Sequence, residues 1–188
     1  MDIMPGNPKE QFIMLMKATK RDGVEELLQW LEESDFYTAP ASRAYHDAQT
    51  GGLLEHSLRV YHELCRLLKA YPEIQVPKES VIVAALLHDL CKVNFYAVEQ
   101  RNRKNDAGMW EKYDVYTIQE KFCYGGHGSK SVFLAQHFIK LTTEEAVAIN
   151  CHMSCWDGNK DVGGAFEQFP FAWLVHVADE SACYVQTK

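Results

Sequence analysis

KESVIVAALLHDLCK, residues 78–92, decides the fold. From Val81 to Leu87 it is apolar on nearly every side, the signature of a helix buried at the centre of a domain. Tyr71-Pro72 and Pro77 break the chain upstream of it. The helix therefore delivers two polar side chains, His88 and Asp89, to its C-terminal end, where a following loop can open a site to substrate.

Upstream, LLEHSLRVYHELCRLLKA (53–70) is a second helix whose inward stripe is Leu53, His56, Val60, Leu64 and Leu67. His56 thus faces the core. Asp35 to Gly52 carries Pro, Ser, Thr and a Gly pair with no sustained period, so it reads as a long irregular segment, a type of segment that is commonly functional. Phe12, Ile13 and Met16 fall at helical spacing in residues 9–20, and Asp22 with Glu25 is expected to cap a helix running to Glu33.

Downstream, 93–124 turns aromatic and β-branched. Phe95–Val98 and Trp110–Tyr116 flank the polar turn Asn105-Asp106-Ala107-Gly108, which predicts a β-hairpin. GGHGSKS (125–131) starts a helix to about Lys140, and Thr142 with Glu145 forms a capping box for a helix containing Ile149 and His152. The last helix, about Pro170 to Gln186, sets Asp179 in an apolar stripe with Ala172 and Val175.

Composition narrows the class. With 188 residues, 47% apolar and 24% charged, the chain fits one globular domain with a full hydrophobic core. Its longest apolar run is too short to cross a bilayer, and the N-terminus lacks the basic and apolar regions of a secretory signal. A cytoplasmic location is expected, with no membrane partner. The six cysteines lack paired zinc-ribbon spacing and read as reduced thiols. A net charge of −7 disfavours a broad polyanion-tracking surface, yet a small phosphorylated substrate or the end of a strand still fits.

His56, His88, Asp89, His127, His152 and Asp179 are polar groups in or beside apolar segments. Burying such groups uncompensated costs several kcal/mol, roughly, and a shared metal would compensate them all. Imidazole and carboxylate suit Mn, Fe, Zn, Co or Ni, and mixed nitrogen/oxygen sets leave positions open for water and substrate. Phosphate ester hydrolysis follows from such chemistry. Singly, each has a plainer explanation: a core histidine bonded to a carbonyl, or a carboxylate paired with Lys, Arg or Tyr.

GGLLEHSLRV (51–60), LLHDLCK (86–92), GGHGSKS, the His152 helix and VADESA (177–182) together resemble the HD-domain metal-dependent phosphohydrolases. FYTAPAS and YHDAQTGGLLEHSL look most like the HD domain of certain bacterial 3′-to-5′ exoribonucleases, although their OB-fold module is not seen along this chain. The resemblance implies a mainly α helical bundle: one domain over 1–188, with an N-terminal helical extension (1–35), an HD core (36–184) and a hairpin insertion (94–124). It further implies one or two divalent transition metals, a first at His56, His88, Asp89 and Asp179 and a second at His127 and His152, with Asp89 bridging the two. Lys92 matches the lysine of the family's HDxxK pattern and would contact phosphate, with Asp89 and Lys92 the catalytic pair. Cys91 stands where a Gly is commoner, a change expected to alter packing and not ligation.

The implied reaction is cleavage of a phosphate ester of a nucleotide or related small phosphorylated substrate by a metal-bound hydroxide. The alternatives are a 3′-end nuclease on single-stranded RNA or DNA, and a non-catalytic nucleotide-sensing module. His46 and Lys130 are further substrate-binding candidates, Lys130 because the Gly-rich turn beside it could present N–H groups to phosphate. Arg101, Arg103 and Lys104 form a basic cluster at the hairpin. Trp156 is expected in the core, with stacking on a base as the competing reading.

Overall fold

The computed structural model describes residues 6–119, 125–158 and 161–185. Eight α-helices and one two-stranded ribbon form among them: α1 (Pro8–Ala18), α2 (Val24–Glu33), α3 (Gly52–Ala70), α4 (Lys78–Leu87), β1 (Tyr96–Lys104), β2 (Trp110–Ile118), α5 (His127–Ala135), α6 (Thr143–Cys151), α7 (Val162–Gln168) and α8 (Pro170–Tyr184). The fold is mainly α, as the sequence implies.

Helix α4 is the axis. Every residue from Ser80 to Leu87 is buried, so a single Leu-to-Ala truncation there would cost about 2–5 kcal/mol. α3 packs against α4 and α8, α6 against α4 and α8, and α5 against α6. The helical ladder of α4 stops at Leu87, five residues before Lys92; His88 is its cap, and Leu90–Lys92 tighten into a 3-10 turn. The turn carries Asp89 and Lys92 off the helix axis while keeping both side chains buried.

The capping box of α6 forms: Thr142 Oγ1 accepts from the Glu145 N–H, and the Glu145 carboxylate accepts from the Thr142 N–H. That of α2 does not. Gly23, left-handed at φ 84°, occupies the cap position with no side-chain bond, and Asp22 stands outside it. α5 ends at Ala135, short of Lys140. There the His137 ring Nδ1–H donates to the Phe133 carbonyl at 2.8 Å, the carbonyl that the next helical N–H would use. The helix α7 was not anticipated, because Gly163-Gly164 masks its helical pattern. Gln186, the expected end of the last helix, Cys123, and the hairpin insertion's end at 120–124 lie outside the described residues.

β1 and β2 pair antiparallel from Tyr96↔Ile118 to Lys104↔Trp110. Asn105 Oδ1 accepts from the Ala107 and Met109 N–H groups and closes the turn. β1 is exposed from Glu99 to Arg103, whereas β2 is half-buried at Tyr116 and Thr117. No helix among the described residues is long and apolar enough to cross a membrane.

Candidate metal centre

Four helices and one turn bring polar groups to one buried point. His56 comes from the inward stripe of α3, His88 from the cap of α4, Asp89 from the turn after it, His152 from the cap of α6 and Asp179 from α8. All five are buried. His56 Nε2 lies 3.0 Å from Asp179 Oδ1 and 3.2 Å from His88 Nε2. His88 Nε2 is 3.3 Å from Asp89 Oδ2 and 3.8 Å from Asp179 Oδ1, and His152 Nε2 is 3.5 Å from Asp89 Oδ1.

Ring orientation is set from behind. His88 Nδ1–H donates to the Ala85 carbonyl at 2.8 Å, and His152 Nδ1–H to the Ile149 carbonyl at 2.7 Å. Each bond fixes the tautomer and leaves Nε2 as an inward lone pair, the arrangement of a metal-ligating imidazole. His176 donates from Nδ1 to the His152 carbonyl at 2.7 Å and stacks on Phe166, so it supports that cap.

Electrostatics favours ionised carboxylates. Burial pushes Asp89 up, but the Lys92 ammonium, with Nζ 2.5 Å from Oδ2, and the neighbouring histidines hold it well below the usual range. Asp179 is likewise pushed up by burial and held below its ordinary value by its bond to His56 and by the facing imidazoles. Burial lowers the proton affinity of His56; for His88 burial also acts to lower it, but the charge and bond of Asp89, the charge of Asp179 and the bond to Ala85 together raise it. Lys92 would be lowered by burial, and Asp89 reverses this.

The donor set fits a divalent transition metal. His152 Nε2 is buried with no hydrogen-bond partner, and an unsatisfied buried polar atom costs about 1–3 kcal/mol. Among the described residues three sets of donors cluster closely enough to hold an ion: His56, His88 and Asp179; His88, Asp89 and His152; and, at the edge of the centre, His46, His56 and Cys183. Asp89 thus presents one oxygen to each side, Oδ2 toward His56 and His88 and Oδ1 toward His152.

His127 stands apart from these sets. It opens α5, and its Nδ1 bonds Asp157 Oδ1 at 2.8 Å. Asp157, which no sequence motif flagged, also accepts the Gly128 N–H through Oδ2 at 3.0 Å. Gly126 allows this approach, since a Cβ there would lie 2.7 Å from Asp157 Oδ2, and Gly128 lets α5 close on α6, since a Cβ there would lie 2.3 Å from the Asn150 carbonyl oxygen. Trp156, expected in the core, is 79% exposed; it sits on a 3-10 turn at the surface, not under the bundle.

The remaining candidates line the surroundings. His46 lies over His56 with ring centroids 5.0 Å apart, its Nε2 buried and unpartnered, and burial lowers it to about 4. Lys130 is buried, with Nζ 5.3 Å above the Phe95 ring. Cys91 is fully buried and its N–H donates to Ser131 Oγ at 3.1 Å. Its thiol is pushed up by burial and donates to Asp89 Oδ1 at 3.9 Å.

The HD domain family profile matches residues 53–183, which span every residue of the five-membered cluster. A dihydroneopterin 2′,3′-cyclic phosphate phosphodiesterase of Methanocaldococcus jannaschii is 32% identical over 83 residues, 43% of this chain. The match spans 31% of that relative's length. No solved structure matches the chain. Helical architecture, the buried His/Asp cluster and the extent of the family match lead to one conclusion: the chain belongs to the HD domain family.

Proposed function

We propose that the protein is a metal-dependent phosphohydrolase acting on a phosphate ester of a nucleotide or related small phosphorylated compound. The observation that carries this reading is Asp89, buried and ionised, with one oxygen toward the His56/His88/Asp179 donors and the other toward His152. His56, His88, Asp89 and Asp179 would hold a first ion; Asp89 and His152, joined by His127, would hold a second. Bound divalent ions supply positive charge opposite phosphoryl oxygens and acidify water near neutral pH.

The chain's own residues set the geometry. The carbonyls of Ala85 and Ile149 aim the imidazoles, Lys92 keeps Asp89 ionised, and the buried packing of α4 excludes bulk water. Lys92 and Lys130 are the cations proposed to meet phosphate, and His46 a polar wall beside them. That a similar protein acts on a cyclic phosphate diester supports this substrate class.

A second reading, a nuclease acting on strand ends, is favoured by the ribbon. Arg103 lies over Tyr113 and Lys104 over the exposed Trp110, at 4.9 and 5.5 Å from the ring centroids, a cation and aromatic pairing suited to unstacked bases. Hydrolysis of a panel of phosphomonoesters, cyclic and linear phosphodiesters and short oligonucleotides, by wild type and Asp89→Ala, separates the readings. Turnover lost in the variant supports the site; a metal-loaded wild type inert to the whole panel overturns it in favour of a sensing module.

A further inference from the structure

Between the irregular segment before α3 and the ribbon lies a groove of about 380 Å³, lined by Arg43, Ala44 and Ala48 on one side and by Arg101, Asp114 and Val115 on the other. Nothing in the metal centre uses it. Two guanidiniums face one carboxylate there, a local excess of positive charge on a chain whose net charge is −7. Arg101 shares its charge with Glu99, 3.6 Å away. Arg43 makes no hydrogen bond or ion pair with any described residue.

The segment that carries Arg43 is fixed in shape. The Ala41 N–H donates to the Asp47 carbonyl at 3.0 Å, Ser42 Oγ–H to the His46 carbonyl at 2.6 Å, and the Tyr45 N–H to Ser42 Oγ at 2.9 Å. Asp47 takes a left-handed φ of 51°, and its carboxylate pairs with Arg59 of α3. The segment seats against Gly52, where a Cβ would come within 2.1 Å of the Asp47 carbonyl oxygen. One rigid loop therefore sends His46 inward against His56 and Arg43 outward to the groove.

The groove also adjoins the centre through Tyr96. This half-buried residue at the start of β1 meets Tyr116, which lines the groove, edge-on with ring centroids 6.3 Å apart, and it feels the charges of Lys92, Asp89 and Arg43. A substrate whose scissile phosphate sits among the His/Asp donors would pass His46 and Tyr96 toward two arginines, whose planar guanidiniums suit phosphate.

We propose that Arg43 and Arg101 form a subsite for a second phosphoryl group on the substrate, so that esters carrying another phosphate are preferred over those with the scissile phosphate alone. This rests on the phosphate-ester reading above and deepens it. Asp114 on the opposite wall would disfavour larger polyanionic stretches and limit the site to one such group.

The test compares adenosine 2′,3′-cyclic phosphate with and without a 5′-phosphate, in wild type, Arg43→Gln, Arg101→Gln and Lys112→Gln. Lys112 lies on β2 and does not line the groove. Wild type should show a KM at least tenfold lower for the 5′-phosphorylated compound. Arg43→Gln should abolish most of that preference, Arg101→Gln reduce it, and Lys112→Gln retain it. A preference unaltered by Arg43→Gln, or no preference in wild type, overturns the subsite.

Equilibrium binding of adenosine 3′,5′-bisphosphate and adenosine 5′-monophosphate by calorimetry separates this idea from the reading beneath it. If wild type hydrolyses neither ester, the hydrolase reading fails, and tighter bisphosphate binding that Arg43→Gln removes still upholds the groove. Equal binding of the two nucleotides would sink the groove alone.

Discussion

Asp157 clamps His127. One carboxylate oxygen takes the ring Nδ1–H at 2.8 Å and the other the Gly128 N–H at 3.0 Å, fixing both the side chain and the backbone at the start of α5. The bond leaves His127 Nε2 as the nitrogen able to ligate, while the charges of His127 and His152 and both bonds hold Asp157 below its ordinary value against burial. Carboxylates in this position orient metal-binding imidazoles.

Asp157→Ala should weaken the second divalent ion by about 10–100-fold, the usual effect of losing such a support, and leave the first nearly unaffected. Calorimetric titration with Mn²⁺ reads the two affinities separately. Equal loss at both sites, or at neither, would separate His127 from the proposed second site.

Metal should stabilise the fold. An ion at 100 times its dissociation constant adds about 2.7 kcal/mol to a protein that binds it only when folded. Wild type is expected to melt several degrees lower in excess chelator than in Mn²⁺, and Asp89→Ala to show little difference between the two. Differential scanning calorimetry measures both shifts.

Away from the centre, Glu145 carries a pH dependence. Its buried carboxylate pairs with Arg21 and caps α6; burial raises its pKa, but the bonds to Arg21, Ser80 and Thr142 together outweigh burial and hold it below the ordinary 4.5. A depressed carboxyl contributes stability that is present above the unfolded-state value and lost as pH falls through the folded one. Glu145→Gln should therefore cost about 1–3 kcal/mol at pH 7, and the gap to wild type should narrow below about pH 4.5. Urea unfolding from pH 3 to 7 follows it; a gap constant with pH would contradict the assignment.

Gly128→Ala tests the α5–α6 approach. The added methyl would meet the Asn150 carbonyl at 2.3 Å, so the helices must part, at about 1–3 kcal/mol. Because the shift moves His127, thermal stability and second-site Mn²⁺ affinity should fall together.

Much of this was legible in the sequence because α3, α4 and α8 carry their ligands on unambiguous apolar stripes. His56 in the stripe of Leu53 and Val60, His88 after a fully apolar run, and Asp179 among Ala and Val all meet at the cluster. His127 was harder to place, since its partner Asp157 lies 30 residues away on a short turn with no period. Trp156 followed the same turn outward, against the general tendency of aromatic residues to be buried. The end of α4 was hidden for another reason: His88 prefers its own ring bond to Ala85, and Asp89 leaves helical geometry to reach Lys92.

The central claim is that Asp89 stands between two groups of metal donors. A crystal structure grown with Mn²⁺, with diffraction recorded at the manganese edge, tests it directly. The account predicts an anomalous peak among His56, His88, Asp89 and Asp179, and a second beside Asp89 Oδ1 and His152. Folded protein with no anomalous density within ligation distance of Asp89 would contradict it.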